Sequence, residues 1–354
     1  MSAARADRVQ EALREQELDA LIVTHLVNLR WLTGFTGTNG AAVVRSDGER
    51  IFVTDFRYTE RAQAEVDGFE LQRGERELLG NVVEALSGRV GFEDAHVSVR
   101  AWRKLEELVP DAVELAAAGS LLEGLRAVKE PAELEAIRAA ARLADDVFEE
   151  VVLAGGLAGR AERDVARAIE GAIRERGSEP SFPPIVAAAA NGALPHAEPR
   201  DVEIPRDTLV VVDWGATSEG YCSDCTRTLA TGTLGESARE VYELVRRAQA
   251  DALAAVSPGA NGKDVDAVAR TLIGDAGHGE HFGHGLGHGV GLEVHEEPRL
   301  TQTVDSELAA GNVVTVEPGV YLPGEVGVRI EDLVLVTDGG HEVLSRHPKE
   351  LTEV

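Results

Sequence analysis

Lysine is nearly missing from this chain. Of its 35 basic residues only Lys104, Lys129, Lys263 and Lys349 are lysine, and the rest are arginine. Cysteine occurs twice, at Cys222 and Cys225, too rarely for a disulfide scaffold. No apolar run reaches the length of about 18 residues that a membrane-spanning helix needs. The opening stretch MSAARADRVQEALREQELDA is charged throughout and lacks the apolar core and cleavage site of a secretory leader, so a cytoplasmic protein is expected. Positive charge is scarce overall: 35 Lys and Arg stand against 62 Asp and Glu, for a net charge of -27. A field of one sign disfavours nucleic acid and anionic membrane as partners. Two origins fit it: adaptation to a high-salt cytoplasm (a halophile), where screening tames self-repulsion, and an acidic protein from an organism with Arg-rich codon usage.

What is present suffices for ordinary cores. The chain has 354 residues, 44% of them hydrophobic, which suggests two domains. Residues 1–122 alternate helix and strand patterns: RVQEALREQEL as an amphipathic helix, DALIVTH as a strand, AAVVRSDGERIFVTD as a hairpin with an Asp-Gly turn, RYTERAQAEV and ELLGNVVEALSG as helices, and RVGFED as a strand. This reads as a small α/β domain. A second unit, residues 123–354, opens with a helix from Pro131, well placed at a first helical position, to about Leu153.

That second unit holds a weak internal repeat at an offset of 100. Gly159, Asp164, Val165 and Gly177 recur as Gly259, Asp264, Val265 and Gly277. Each half then turns to strands ending in carboxylates, which implies a pseudo-twofold sheet with helices on its outside.

In the first half, a turn near Ser218 and Glu219 would set Asp213, at the end of VVVD, opposite Asp224. Two buried like charges at that spacing require a proton or a cation between them, unless a bulge separates them or one lies at the surface. In the second half Glu317 ends VVTVE and Glu331 lies in VRIEDLVLV. Arg329 shares a strand face with Glu331 and can hold one carboxylate in place, while Asp332 faces the other way as a structural residue. Four histidines fall in HFGHGLGHGVGLEVH, where alternating glycines let the backbone approach a site closely. His196 sits in the Pro-bounded loop NGALPHAEPRD.

Taken together, PHA at 195–197, VVDWG at 211–215, SDCTRT at 223–228, GHGLGHGVGLEVHEEPR at 283–299, TVEPG at 315–319 and VRIED at 328–332 resemble the M24 metallopeptidases. DALIVTHLVNLRWLTGFTGTNG and FVTDFRYTERAQAE are similar to the N-terminal domain of prolidase and aminopeptidase P. The resemblance implies an α/β (α+β) architecture: a creatinase/prolidase-type N-terminal α/β domain, then a pita-bread domain with a curved, pseudo-twofold antiparallel sheet and outer helices. It carries the five metal ligands over to Asp213, Asp224, His288, Glu317 and Glu331, holding two divalent ions, Mn²⁺ or Co²⁺ foremost with Zn²⁺ or Fe as alternatives. It implies Glu317 as proton shuttle, His196 and His295 as hydrogen-bonding catalytic residues, and His284, His295 and Arg299 as substrate-binding residues. Structural or surface roles for His284 and Arg299 remain alternatives.

The expected activity is hydrolysis before proline by a prolidase-like dipeptidase acting on small peptides with proline second. A homodimer is expected. The alternatives are an Xaa-Pro aminopeptidase on longer peptides, a non-enzymatic pita-bread binding protein and a creatinase-like amidinohydrolase. Cys222 and Cys225 should point to opposite strand faces, which argues against a disulfide or a shared zinc.

Overall fold

The computed structural model describes residues 2–354, which form two compact units, 2–126 and 127–354. The division falls four residues beyond the expected one, at the end of a helix spanning Leu121–Ala127. None of the described helices is long and apolar enough to cross a membrane.

The first unit is built on a six-stranded mixed sheet in the order Glu70–Arg73, Arg50–Thr54, Gly40–Arg45, Ala20–Val23, Gly88–Phe92, Val113–Ala117. Its centre is antiparallel and its flanks are parallel. Ala20–Val23 is buried at all four positions, as a central strand covered on both faces requires. The expected Asp-Gly turn joins Gly40–Arg45 to Arg50–Thr54, with Gly48 at a φ of 117° that glycine alone adopts readily. The edge strand Glu70–Arg73 was not expected. It is polar and largely exposed, as edge strands often are, and so lacks an apolar alternation to read.

In the second unit the helix Pro131–Phe148 starts with Pro131 in its first turn. A reciprocal capping box between Glu130 and Glu133 precedes the first full turn, and the chain continues as a π turn through Leu153. The repeat is explicit. Helices Glu162–Glu175 and Gly262–Asp275 have equal length at an offset of 100. Each is preceded by a left-handed glycine (Gly159, φ 81°; Gly259, φ 82°) whose N–H donates to Ile204 or Leu308. Each is followed by another, Gly177 or Gly277.

The strands form two antiparallel sheets, one of Cys225–Ala230, Leu209–Trp214 and Ile185–Ala188, the other of Glu296–Leu300, Gly287–Gly289, Val313–Val316, Asp332–Thr337 and Gly340–Val343. A hairpin, Gly319–Leu322 with Val326–Arg329, lies between them, and the Glu331 N–H donates to the Thr226 carbonyl across the seam. The repeat helices Glu162–Glu175 and Gly262–Asp275 pack on one face, while Ile137 and Ala141 of the helix Pro131–Phe148 reach Val313, Leu333 and Leu335 on the other. Val210, Val212 and Trp214 join the core formed with Phe148, Val165 and Ile169, and Val314, Val316, Val334 and Val336 join that of Val241, Val245, Val265 and Ala269. The period of two therefore turns Asp213 and Thr315 to the opposite face.

Candidate active site

That opposite face lines a cavity of about 560 Å³. All ten residues singled out from the sequence line it: Asp213, Asp224, His288, Glu317 and Glu331, with His196, His284, His295, Arg299 and Arg329. The two halves of the repeat supply two carboxylates each.

The register corrects one expectation. Asp213 pairs with Thr226, not with Asp224. The tight turn is centred on Glu219 and Gly220, at φ 50° and 84°, one residue later than expected, because Gly220 is suited to the left-handed second position of a two-residue hairpin. Moving a turn by one residue moves the partner by two, so Asp224 keeps its face and becomes a diagonal neighbour of Asp213. In the second half the ladder ends at Val316 opposite Asp332, leaving Glu317 and Glu331 just beyond it.

Thr226 is therefore central, and the motif reading missed it. Its hydroxyl donates to Glu331 Oε2 at 2.7 Å and accepts from Arg329 Nε at 3.1 Å. Arg329 Nη2 donates to Asp213 Oδ2 at 2.6 Å, and Nη1 to the Tyr321 hydroxyl and the Pro195 carbonyl, each at 3.0 Å. Tyr321 is a second residue missed; its only sequence signal is its place on the strand after TVEPG. Asp332 faces away, as expected, and is paired with Arg227 and Lys349.

His288 lies on Gly287–Gly289. A Cβ on Gly287 would sit 2.0 Å from the Thr315 carbonyl oxygen and one on Gly289 2.1 Å from that of Glu297, so neighbouring strands close on the histidine only because both flanking residues are glycine. His288 Nδ1 donates to the Gly289 carbonyl at 3.0 Å, which leaves Nε2 as the lone-pair atom of the neutral ring. Nε2 stands 3.2 Å from Glu317 Oε1 and 3.7 Å from Asp224 Oδ2. Thr315 donates to the same Glu317 oxygen at 3.0 Å. Single ligand atoms of Asp224, His288 and Glu331 all lie within 4.8 Å of one another.

Burial pushes the carboxyls of Asp224 and Glu331 well above the usual range, and the neighbouring carboxylates push them further. Asp213 is also raised by burial, against the opposing charge of Arg329. For Glu317 burial is again the largest influence and raises it, but Arg329 and, in their protonated forms, His288 and His284 outweigh it and bring the group to about 2. Asp213 Oδ1 is buried with no hydrogen-bond partner among the described residues. A buried carboxylate oxygen of this kind calls for a proton or a cation. The donor set, four carboxylates and one imidazole presenting a lone pair, suits hard or borderline divalent ions.

The remaining histidines differ. His284 has both ring nitrogens engaged, Nδ1 with the Gly285 carbonyl at 2.7 Å and Nε2 with the Tyr321 hydroxyl at 3.0 Å. His295 lies with its ring 4.3 Å from that of His288; burial, with the charge of His288 when that ring is protonated and that of Arg299, lowers it to about 4 and keeps it neutral near pH 7. Arg299 faces His288 directly across the strand pair, with Glu297 3.8 Å away. Phe182, Pro183, Pro184, Ile185 and Pro199 add an apolar wall. Trp214 is a packing residue, stacked on Phe148, and the Tyr221 hydroxyl donates a hydrogen bond to Glu133. Cys222 and Cys225 lie in different cores and form no disulfide.

The chain resembles known proteins over its whole length. It is 33% identical over 362 residues to the Xaa-Pro dipeptidase of Pyrococcus furiosus, covering 98% of this chain and 99% of that one. The solved Xaa-Pro dipeptidase from Bacillus anthracis superposes with a TM-score of 0.95 at 35% identity, covering 100% of both chains. An X-Pro aminopeptidase from Thermotoga maritima superposes at 0.87 and 32% identity, covering 97% of this chain and 100% of that one. Residues 5–128 match the creatinase/prolidase N-terminal domain and residues 135–338 match metallopeptidase family M24, and with the pseudo-twofold fold and its carboxylate-lined cavity these matches make the chain a member of metallopeptidase family M24.

Proposed function

We propose that this protein hydrolyses the peptide bond before proline in Xaa-Pro dipeptides, using two divalent cations, Mn²⁺ or Co²⁺, held by Asp213, Asp224, His288, Glu317 and Glu331. The observation that carries this reading is the convergence of four carboxylates and the lone pair of His288 in one cavity, with Asp213 Oδ1 buried and unpartnered among the described residues. Bound there, the cations would polarise the scissile carbonyl and lower the pKa of the attacking water.

The chain's own groups do the rest. Arg329 fixes Asp213 and Thr226 fixes Glu331, so neither carboxylate must reorganise during reaction. Glu317, kept ionised by its surroundings, accepts the water proton and delivers it to the leaving nitrogen. That delivery matters for a bond to proline, whose nitrogen carries no proton of its own in the substrate. His295 is neutral and donates to the developing oxyanion, with His196 beside the same cavity. The Phe182–Ile185 wall receives the proline ring, and Arg299 pairs with the terminal carboxylate that a dipeptide places just beyond it. His284, with both nitrogens engaged, contributes wall rather than a donor.

A second reading, an aminopeptidase acting on longer Xaa-Pro-Yaa peptides, is favoured by the similarity to the Thermotoga maritima protein. The deciding experiment compares Gly-Pro-type dipeptides with Xaa-Pro-Yaa tripeptides under Mn²⁺ and under Co²⁺, at low and high salt. Faster dipeptide cleavage is expected, and faster tripeptide cleavage establishes the second reading. Hydrolysis of neither rejects both. The proposal includes a cytoplasmic homodimer, to be checked by light scattering, and a gain in activity with salt if the -27 charge reflects a high-salt cytoplasm.

A further inference from the structure

The two pseudo-equivalent helices each offer a buried acid to a loop that walls the cavity. Glu162, 1% exposed, opens the helix Glu162–Glu175 yet accepts nothing from that helix. Its five hydrogen bonds come from Ala188 N, Asn191 Nδ2 and Arg200 N, each at 2.9 Å, and from Arg200 Nε at 3.0 Å and Nη2 at 2.9 Å. These donors bracket residues 188–200, with Pro195 and His196 between them. Beyond one short turn at Ala189–Asn191 this segment has no ladder of backbone bonds to hold its shape.

On the second helix Asp266, wholly buried, accepts from Arg270 Nε and Nη2, both at 2.7 Å, and from Leu286 N at 3.0 Å. Arg270 donates onward to the carbonyls of Phe282 at 2.9 Å and His284 at 2.7 Å. These contacts bracket residues 282–286, which carry His284. The acids are not repeats of one residue, because the repeat sets Gly262 against Glu162 and Ala166 against Asp266. Each half reaches the same arrangement from a different turn of its helix. None of the four charged groups lines the cavity.

We propose that Glu162 with Arg200, and Asp266 with Arg270, are positioning residues that clasp the two loops and so set His196 and His284 in the cavity wall. A helix-stabilising acid would bond its own first-turn N–H groups; Glu162 instead bonds the loop directly, and Asp266 bonds the loop through Leu286 N and through Arg270, four residues on in its own helix, which donates to the loop carbonyls. The kinetic part of the inference rests on the proposed peptidase reading of His196.

The test uses Arg200→Ala, Arg270→Ala and, as control, Arg174→Ala, whose partners Glu170 and Glu179 lie on the exposed side of the first helix and after it. The first readout is the ring ¹H–¹³C spectrum of histidine-labelled full-length protein with diamagnetic Zn²⁺, signals being assigned by their loss in His196→Ala and His284→Ala. Arg200→Ala should move the His196 signal and spare His284. Arg270→Ala should do the reverse, and Arg174→Ala neither. Should Arg270→Ala fail to fold, Arg270→Lys serves, since it keeps the charge but loses the planar fork.

The second readout is a cycle on an Xaa-Pro substrate. Arg200→Ala should lower kcat/KM about tenfold in the otherwise native enzyme and leave it unchanged in the His196→Ala background. Unmoved ring signals, both signals moving together, or an equal loss in both backgrounds would overturn the clasps. If no Xaa-Pro peptide is cleaved, the proposed function fails while the ring signals still decide this inference.

Discussion

Arg329 Nη2 lies 2.6 Å from Asp213 Oδ2, joining residues 116 apart in sequence and one strand from each half of the repeat. The Arg329 side chain is 6% exposed, and its other donors go to Thr226, Tyr321 and Pro195. It lies among four carboxylates, Asp224 and Glu331 buried and Asp213 and Glu317 mostly so, and it fixes the orientation of Asp213 while leaving Oδ1 unpartnered among the described residues.

Removing that cation should be costly. Arg329→Met leaves Asp213 buried without its partner, for which a loss of about 3–5 kcal/mol is usual. Chemical denaturation of metal-free protein measures it. A loss below about 1 kcal/mol would show that the pair is not integral to the fold.

Metal removal should abolish activity, and Mn²⁺ or Co²⁺ should restore it. Asp224→Asn, at a buried position 3.7 Å from His288 Nε2, should lower both metal content and kcat by at least about 100-fold. Elemental analysis and Xaa-Pro turnover test the two halves of that statement. Undiminished activity in the variant, or after complete metal removal, would end the proposed mechanism.

The stability of the metal-free protein should fall as pH rises. Asp224 and Glu331 have carboxyls raised in the fold, so the folded state binds more protons than the unfolded chain above about pH 4. Their contribution is present below the ordinary carboxylate range and is lost as pH rises through the raised values. Glu317, held at about 2, has its window below that range and does not interfere. Thermal melting in EDTA from about pH 5 to about pH 8 should show a declining Tm, with a shallower slope in Asp224→Asn. The Tm gained on adding Mn²⁺ should be larger at the higher pH. A slope unchanged by Asp224→Asn would contradict the assignment.

The two cysteines should be dispensable. Cys222 Sγ donates toward the Leu292 carbonyl and Cys225 Sγ toward that of Glu331, and burial raises the Cys225 thiol well above its usual range. A Cys222→Ser, Cys225→Ser double variant should keep its metal and most of its activity, at a stability cost of about 1–3 kcal/mol for the buried hydroxyls. Loss of metal in that variant would reopen the C-x-x-C as a site.

Local chemistry made much of this protein legible in its sequence. The valine-rich runs VVVD and VVTVE placed Asp213 and Glu317 at strand ends, because a buried carboxylate closing such a run is uncommon unless it serves a site. Pro131, the Asp47-Gly48 turn and the glycines at 159, 177, 259 and 277 marked where elements begin and end, because each encodes its backbone angle in its own covalent structure.

What spans distance was decided only by the tertiary structure. That Asp213 faces Thr226 depended on which residue took the left-handed position at Gly220. That Tyr321 ties Arg329 to His284, or that Glu162 gathers Ala188, Asn191 and Arg200, depended on packing between segments that no periodicity relates. A hydrogen bond between residues far apart in sequence leaves no local signature, since either partner alone would read as an ordinary polar residue. Sequence therefore determined which groups could reach the cavity, and the fold decided which of them meet.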